Sequence, residues 1–130
     1  MALAGCRQAE QAPREQRSEQ AAPALAVYVG TGRDRLCLAA DGKRAGLIVY
    51  GTGDMNCSVQ GVVGPGDALV PNGDNKCRIP LRRSDGSIEL GPVTADCSYY
   101  CGPSASLQGK GFRLSPGATP PTDLAGAPLC

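Results

Sequence analysis

Three related segments organise this sequence: Asp34-Arg35-Leu36-Cys37, Asp54-Met55-Asn56-Cys57 and Asp74-Asn75-Lys76-Cys77. A fourth cysteine, Cys97, continues the same even spacing, and its segment Thr94-Ala95-Asp96-Cys97 moves the aspartate. Between these cysteines, short apolar runs are interrupted by turn residues such as Gly, Pro, Asn and Asp, a pattern typical of β-hairpins. We therefore predict a hairpin unit that is used three times, with its cysteines at equivalent places.

Apolar runs outside the repeat extend the same pattern to most of the chain. The predicted fold is all-β, a small antiparallel meander or barrel of about 7–8 short strands stapled by disulfides. A two-residue turn is expected at Asp41-Gly42. Cys57 alternates with Val59, which predicts that the repeated cysteines point inward. Pro80 has no N–H to donate, which favours an edge strand or a bulge at that point.

Composition indicates one small domain in an oxidising compartment. The 130 residues include seven cysteines and no Trp, with one Phe and four Tyr. Such a chain has few large side chains with which to stabilise a core, and small secreted domains commonly compensate with disulfides. Six cysteines are predicted to form bridges: Cys37, Cys57, Cys77, Cys97, Cys101 and Cys130.

The pairing of these six cysteines stays open, because six allow 15 connectivities. Equivalent points on successive hairpins lie two strands apart, about 9–10 Å, whereas a disulfide needs Cα atoms within about 7 Å. Neighbouring cysteines of the repeat are therefore not expected to pair while the repeat stays regular. Partners are expected from across the barrel, or from Cys101 and Cys130. Because the sequence ends on Cys130, we also expect the C-terminal segment to be stapled to the domain.

The N-terminal residues predict a lipid anchor. Leu3-Ala4-Gly5-Cys6 resembles the bacterial lipobox, whose cysteine receives lipid. Residues 1–6 are thus interpreted as a signal-peptide remnant with lipidation at Cys6, residues 7–24 as a flexible polar tether, and residues 25–130 as a single disulfide-rich β domain. Arg7 after the cysteine favours the outer membrane, by resemblance to sorted lipoproteins. The alternative is a chance match, with Cys6 as an odd thiol.

Ordinary enzyme chemistry is not expected. The chain has no histidine, the usual general base of nucleophilic triads and the commonest metal ligand. The formal net charge of +1 gives no reason to expect nucleic acid as a partner. No apolar run reaches the roughly 20 residues that span a bilayer as a helix. We predict a non-catalytic protein without catalytic residues, bound metal or cofactor.

Three motifs have both a functional and a structural interpretation. Tyr100-Cys101-Gly102-Pro103-Ser104 resembles the thioredoxin motif with its second Cys replaced by Ser, so that a thiol-redox role of Cys101 is an alternative. Cys97 and Cys101 are spaced like zinc ligands, which Cys57 and Cys77 could complete. A basic patch on one hairpin would contact an acidic partner or glycan, or would be a solvated face; its residues are Lys76, Arg78, Arg82 and Arg83.

Aspartates next to Gly or Asn are typical of turns and loop caps rather than catalytic pairs. Asp54, Asp67, Asp74 and Asp85 adjoin such a residue, and the same turn or cap role is expected of Asp34 and Asp96.

The run from Cys97 to Phe112, with the ending from Asp123 to Cys130, resembles an uncharacterised family of small Cys-rich bacterial envelope lipoproteins. That resemblance implies an envelope location without implying an activity. A weaker resemblance, carried by the lipobox, the tether and the small barrel, is to membrane-bound inhibitors of chicken-type lysozyme. It implies an inhibitory or binding loop with Ser104, Ser106 and Lys110, although the aromatic residues that flank that motif in the family are absent here.

Together these observations predict a lipid-anchored binding or structural domain of the bacterial envelope, in the outer membrane or periplasm. The membrane is contacted through the N-terminal lipid, and a protein or glycan is the expected partner. A lysozyme inhibitor is the first alternative, and a thiol-redox protein using Cys101 is the second.

Overall fold

The computed structural model describes residues 25–130, which form a closed antiparallel barrel of eight strands in chain order. The last strand pairs with the first, and a 3₁₀ helix, Ala95–Tyr100, lies in the connection before it. The strands are β1 (Ala26–Val29), β2 (Arg35–Leu38), β3 (Arg44–Tyr50), β4 (Asn56–Gly64), β5 (Ala68–Pro71), β6 (Ile79–Ser84), β7 (Ser87–Leu90) and β8 (Gly111–Leu114). The all-β prediction is confirmed. The predicted lipidation site Cys6 and the tether lie outside the described residues.

Three of the neighbouring strand pairs are the predicted hairpins β2–β3, β4–β5 and β6–β7. The predicted two-residue turn at Asp41-Gly42 is longer than expected. Ala39 N–H donates to the Arg44 carbonyl at 2.9 Å, so the loop comprises residues 40–43. Lys43 N–H donates to the Asp41 carboxylate at 2.8 Å, and Gly42 takes a φ of +73°, a conformation glycine adopts without steric cost. Asp41 thus has a turn role.

Alternating residues of the strands fill the barrel with aliphatic side chains. Phe112 is the single phenylalanine, and it is buried with them. The largest fully buried core residues are Leu36, Leu47, Val49, Val59, Leu69, Ile79 and Ile88, together with Cys57, Cys77 and Cys97. The interior is therefore built mainly from medium-sized side chains, which pack closely in a narrow barrel.

Asp34 is the one buried charged residue within residues 25–130, at 5% exposure. Its carboxylate accepts a hydrogen bond from Tyr50 N–H at 2.9 Å, and its own carbonyl accepts one from Gly30 N–H. Buried carboxylates need such donors because desolvation otherwise disfavours their charge. The first aspartate of the repeat therefore joins the β1–β2 loop to the end of β3, as the loop-cap interpretation predicted.

Cys37 points out of the barrel, so the prediction that the repeated cysteines face inward is wrong for this residue. Its neighbours Leu36 and Leu38 belong to the core, and successive residues of a strand face opposite sides. Cys37 forms a disulfide with Cys130 on the outer surface. Cys37 is nevertheless 0% exposed, because the C-terminal segment covers it. The expectation that this segment is stapled to the domain is confirmed.

The C-terminal segment crosses a row of residues on the outside of β1, β2 and β3. Val27, Cys37 and Gly46 are partners in register across these strands. A Cβ on Gly46 would lie 2.0 Å from the Leu129 carbonyl oxygen, so the segment approaches the strand backbone directly. Leu129 itself is buried, and its N–H donates to the Pro121 carbonyl at 3.1 Å. Glycine at position 46 is what permits this approach.

Pro80 lies in a closed barrel, so the interpretation of β6 as an edge strand is wrong. Its carbonyl accepts a hydrogen bond from Gly91 N–H at 2.9 Å, just beyond the last residue of β7. In an antiparallel ladder the N–H of a residue points to the same side as its carbonyl. An N–H at position 80 would therefore point toward Gly91, beyond the last ladder pair Leu81↔Leu90, so its absence removes no hydrogen bond from the β6–β7 ladder.

All six predicted cysteines form disulfides, in the pairs Cys37–Cys130, Cys57–Cys101 and Cys77–Cys97. The third pair joins neighbouring cysteines of the repeat, which we did not expect. Cys97 lies in the 3₁₀ helix rather than on a strand, so the strand-spacing argument does not apply, and the two Cα atoms are 4.7 Å apart. Three bridges indicate an extracytoplasmic, oxidising location.

Among residues 25–130, no helix has the length and apolar character needed to cross a membrane.

Replacing Gly46 with Ala tests the packing of the C-terminal segment. The added methyl would displace the Leu129 backbone, and overpacking of this kind costs about 1–3 kcal/mol of unfolding free energy. Gly64→Ala is the matched control on β4, because its Cβ would meet nothing closer than the Val70 Cγ2 at 3.5 Å. We expect the control to change stability by about 0.5 kcal/mol or less. Urea unfolding followed by circular dichroism measures both, and equal losses would contradict the described contact.

Candidate binding surface at one end of the barrel

Four loops gather at one end of the barrel, since alternate connections of an antiparallel meander lie at the same end. They comprise residues 30–34, 51–55, 72–78 and 91–110. Two of the three disulfides, Cys57–Cys101 and Cys77–Cys97, tie the longest of these loops to the barrel. We call residues 91–110 the capping loop. Candidate functional residues are best placed here, because loops on a rigid scaffold commonly carry binding sites.

The capping loop closes this end of the barrel with its own side chains. Leu107 is 3% exposed and belongs to the core, while Val93 and Ala105 pack against that core. Leu90 N–H donates to the Lys110 carbonyl at 2.8 Å, which holds the end of the loop beside β7. The loop is therefore fixed to the barrel by apolar packing and hydrogen bonds as well as by disulfides.

Ser104, Ser106 and Lys110, the predicted binding-loop residues, all lie in the capping loop but contact different neighbours. Ser104 Oγ accepts a hydrogen bond from Thr52 N–H at 2.7 Å. Ser106 Oγ accepts one from Gln108 N–H at 3.1 Å within its own turn. Lys110 is half-buried. The two hydroxyls thus stabilise the loop, while both serines remain exposed to solvent.

Cys101 is bonded to Cys57, with their Cα atoms 4.0 Å apart. A thioredoxin-type motif needs a helix after its cysteine, and here the 3₁₀ helix precedes it. The four cysteines weighed as zinc ligands are likewise all in disulfides. The structure therefore uses these residues as crosslinks.

Two guanidinium groups of the predicted basic patch are held by the protein itself. Arg83 makes a bidentate ion pair with the Asp67 carboxylate, both N–O distances being 2.7 Å. Arg78 donates to the Pro65 carbonyl at 2.7 Å. These contacts join β6 and the residue before it to the β4–β5 loop, and the Asp67 carboxylate offsets the charge of Arg83.

Arg33 fills one side of the same barrel end. Its guanidinium carbon lies 3.8 Å from the centroid of the Tyr50 ring, a cation–π contact. It also donates to the Asp54 carboxylate at 3.1 Å and to the Gly53 carbonyl at 2.7 Å. Arg33 thereby joins the β1–β2 and β3–β4 loops, and two of its five N–H donors are used by these partners.

Tyr99 is the most exposed large hydrophobic side chain of this end, at 84%. It sits on the 3₁₀ helix between the crosslinked residues Cys97 and Cys101. The rings of Tyr99 and Tyr100 meet edge to face, with centroids 5.1 Å apart and an interplanar angle of 86°. Tyr100 is half-buried, and its hydroxyl donates to the Asp74 carboxylate at 2.6 Å. Tyr100 is therefore held in place by Asp74, and Tyr99 packs against it while projecting into solvent.

A groove of about 430 Å³ runs between the β5–β6 loop and the 3₁₀ helix. We call it the tyrosine groove; its lining residues are Gly73, Asp74, Asn75, Lys76, Asp96 and Tyr99. The Tyr100 hydroxyl, followed by the Lys76 N–H, lowers the pKa of the Asp74 carboxyl below its usual value. The same hydrogen bond raises the pKa of Tyr100 to about 12, so both groups keep their neutral-pH charge states.

Sequence reasoning did not select Tyr99 or Tyr100 as site residues. The signal was the pair of tyrosines between two cysteines in a chain with only four tyrosines. That signal does not reveal that Tyr100 is half-buried and bonded to Asp74 while Tyr99 is exposed.

Comparisons of the chain with models of protein families, with curated proteins and with solved structures found no match. The two family resemblances stated above remain predictions.

Replacing Tyr100 with Phe tests the link between the two walls of the groove. Without the phenol donor, we expect the pKa of Asp74 to rise toward the ordinary value of an aspartate. Because the pKa of Asp74 is lowered in the folded state, its stabilising effect is present above the unfolded pKa and is lost as pH falls through the folded pKa. Carboxyl ¹³C NMR titration measures the shift. Tyr99→Phe is the control, and an unchanged Asp74 titration in Tyr100→Phe would contradict the assigned bond.

Proposed function

We propose that this protein is a non-catalytic binding domain of the bacterial cell envelope, located at the outer membrane or in the periplasm and anchored to the membrane by lipid on Cys6. The barrel is its scaffold, and the end that carries the capping loop is its binding surface. The oxidising location indicated by the three disulfides supports this proposal. So does the lipobox-like segment of the sequence.

The observation that carries the proposal is the exposure of Tyr99 on a rigid support. An aromatic ring in water exposes apolar area that burial against a partner would remove, and tyrosine is enriched among residues that dominate binding. Tyr99 is held by a helix between two disulfide-bonded cysteines. Little conformational freedom of the backbone is then lost on binding, which favours affinity.

The chemistry of the remaining groups supports a role without catalysis. The chain has no histidine, and the six cysteines of residues 25–130 are paired. The buried carboxylate Asp34 accepts a backbone hydrogen bond and closes a loop. A buried acid with a structural partner of this kind offers no general base to a substrate.

Lysozyme inhibition is a second candidate, favoured by the exposure of Ser104 and Ser106 on a loop fixed by disulfides. Rigid exposed loops are the elements that protein inhibitors insert into enzyme clefts. Lys110, at the end of the loop, would supply the positive charge that the resembling inhibitors use. Bacterial cell lysis by chicken-type lysozyme, measured with increasing amounts of this protein, tests the idea. Undiminished lysis at a molar excess would remove it.

Co-sedimentation with purified envelope tests the main proposal. The full chain, oxidised, is titrated against washed envelope fragments, and we expect saturable binding that Tyr99→Ala weakens about tenfold, a loss of about 1.4 kcal/mol. Leu124→Ala is the matched control, because Leu124 is also an exposed large apolar residue, at 56%, but lies in the C-terminal segment. Absence of saturable binding, or equal losses in the two variants, would contradict the proposal.

A further inference from the structure

The two walls of the tyrosine groove are held together by a disulfide, by side-chain hydrogen bonds and by apolar packing. The Cys77–Cys97 disulfide joins them covalently. The Tyr100 hydroxyl bonds to Asp74 across the base. Thr94 Oγ1 donates to the Lys76 carbonyl at 2.9 Å and accepts from Arg78 N–H at 3.0 Å. The apolar packing of Cys77 and Cys97 in the core adds to these contacts. The groove is therefore pre-formed and does not need a partner to open it.

Four polar side chains line this groove beside a single aromatic ring. Asp74 and Asp96 supply carboxylate acceptors, Lys76 an ammonium donor, and Asn75 an amide that both donates and accepts. The centres of protein–protein interfaces are depleted of charged residues and rich in apolar area. Three charged side chains among six lining residues do not fit that description. The groove is better suited to a small ligand covered with hydroxyl groups.

A pyranose ring has an apolar face that suits the tyrosine ring and a hydroxyl-bearing rim that suits the polar side chains of the groove. One face of the ring presents C–H bonds, which are apolar and pack against the face of an aromatic side chain. Its rim carries hydroxyls, and each can donate one hydrogen bond and accept others. Tyr99, with 84% of its surface exposed, offers an accessible ring beside the polar groups. The volume of about 430 Å³ lies in the lower part of the range for small-ligand sites, roughly 300–1,000 Å³.

We infer that the tyrosine groove binds a neutral pyranose unit of a glycan, stacked on Tyr99 and hydrogen-bonded through Asp74, Asn75, Lys76 and Asp96. This inference rests on the proposed binding function and names its ligand class. Two carboxylates against one ammonium leave the groove with a negative balance, which disfavours uronic acids, phosphates and other anionic sugars. The ligand is therefore a neutral sugar, carried at the end or within the chain of an envelope polysaccharide.

NMR titration of the ¹⁵N-labelled full chain with soluble oligosaccharides tests the inference. The probes are cellotriose, maltotriose and chitotriose as neutral sugars, with trigalacturonate as the acidic comparison. We expect at least one neutral trisaccharide to bind with a Kd on the order of 1 mM, as suits one small ring in an open groove. The shifted amide signals should be those of residues 73–76 and 95–100.

Three variants separate the contributions of the Tyr99 ring face, the Tyr99 hydroxyl and the polar Asn75 side chain to sugar binding. Tyr99→Ala should raise the Kd about tenfold, because the stacking surface is lost. Tyr99→Phe should keep wild-type binding, because the face remains. Asn75→Ala should weaken binding, because an amide partner of the sugar hydroxyls is removed. A sugar that bound as well to Tyr99→Ala as to the wild type would overturn the inference.

The remaining outcomes distinguish this inference from the function on which it rests. If no trisaccharide shifts the groove signals while Tyr99-dependent binding to envelope persists, the sugar inference is overturned and the binding function stands. If neither sugar nor envelope binds, both are overturned. Binding of trigalacturonate as tight as that of the neutral sugars would overturn the charge argument and with it the assigned ligand class.

Discussion

The structure depends on covalent closure of a barrel whose interior is small. Its core has one phenylalanine and otherwise aliphatic side chains and half-cystines, so hydrophobic burial alone gives a narrow margin over chain entropy. The three disulfides span 20, 44 and 93 residues of sequence. In the chain-entropy model, loops of these lengths correspond to about 3–5 kcal/mol each. These values do not add fully, because the loops lie inside one another. Even one of them is comparable with the net stability of a small domain, about 5–15 kcal/mol.

Crosslinking also determines where the protein can present a surface. The end of the barrel with the 3₁₀ helix carries two disulfides, the Arg33 contacts and the Tyr100–Asp74 hydrogen bond. Loops at the opposite end, such as residues 40–43, are closed by short backbone and aspartate turns. An exposed tyrosine on the first of these ends has a fixed position relative to its polar neighbours. The ring and the polar groups are thus already arranged for a ligand before it binds.

Much of the barrel was predictable, because its signals are local. Turn residues and alternating apolar positions identified the strands and hairpins, and the cysteine content identified the crosslinks. The direction of Cys37 was not predictable in the same way. The direction of Cys37 depends on which face of β2 enters the core, the face of Leu36 and Leu38 or that of Cys37. It also depends on the C-terminal segment, whose Cys130 is 93 residues away in sequence. The expectation that Cys77 and Cys97 do not pair failed for a related reason, since the even spacing continues to Cys97 although that residue lies in the 3₁₀ helix between β7 and β8. The candidate site was harder still to predict from the sequence, because the exposure of Tyr99 follows from the geometry of the 3₁₀ helix and from the packing of Tyr100.

The order of the disulfides has a consequence for biosynthesis. A growing chain delivers Cys37, Cys57 and Cys77 to an oxidising compartment before any of their partners, and each later cysteine closes the most recent one still open. An oxidase that joined thiols as they arrived would couple Cys37 to Cys57. Pairing of β2, β3 and β4 places Cys37 outside the sheet and Cys57 inside it, so these two thiols cannot meet once the three strands are joined. The opposite orientation of Cys37 and Cys57 thus leaves each of them available to the partner that is synthesised later.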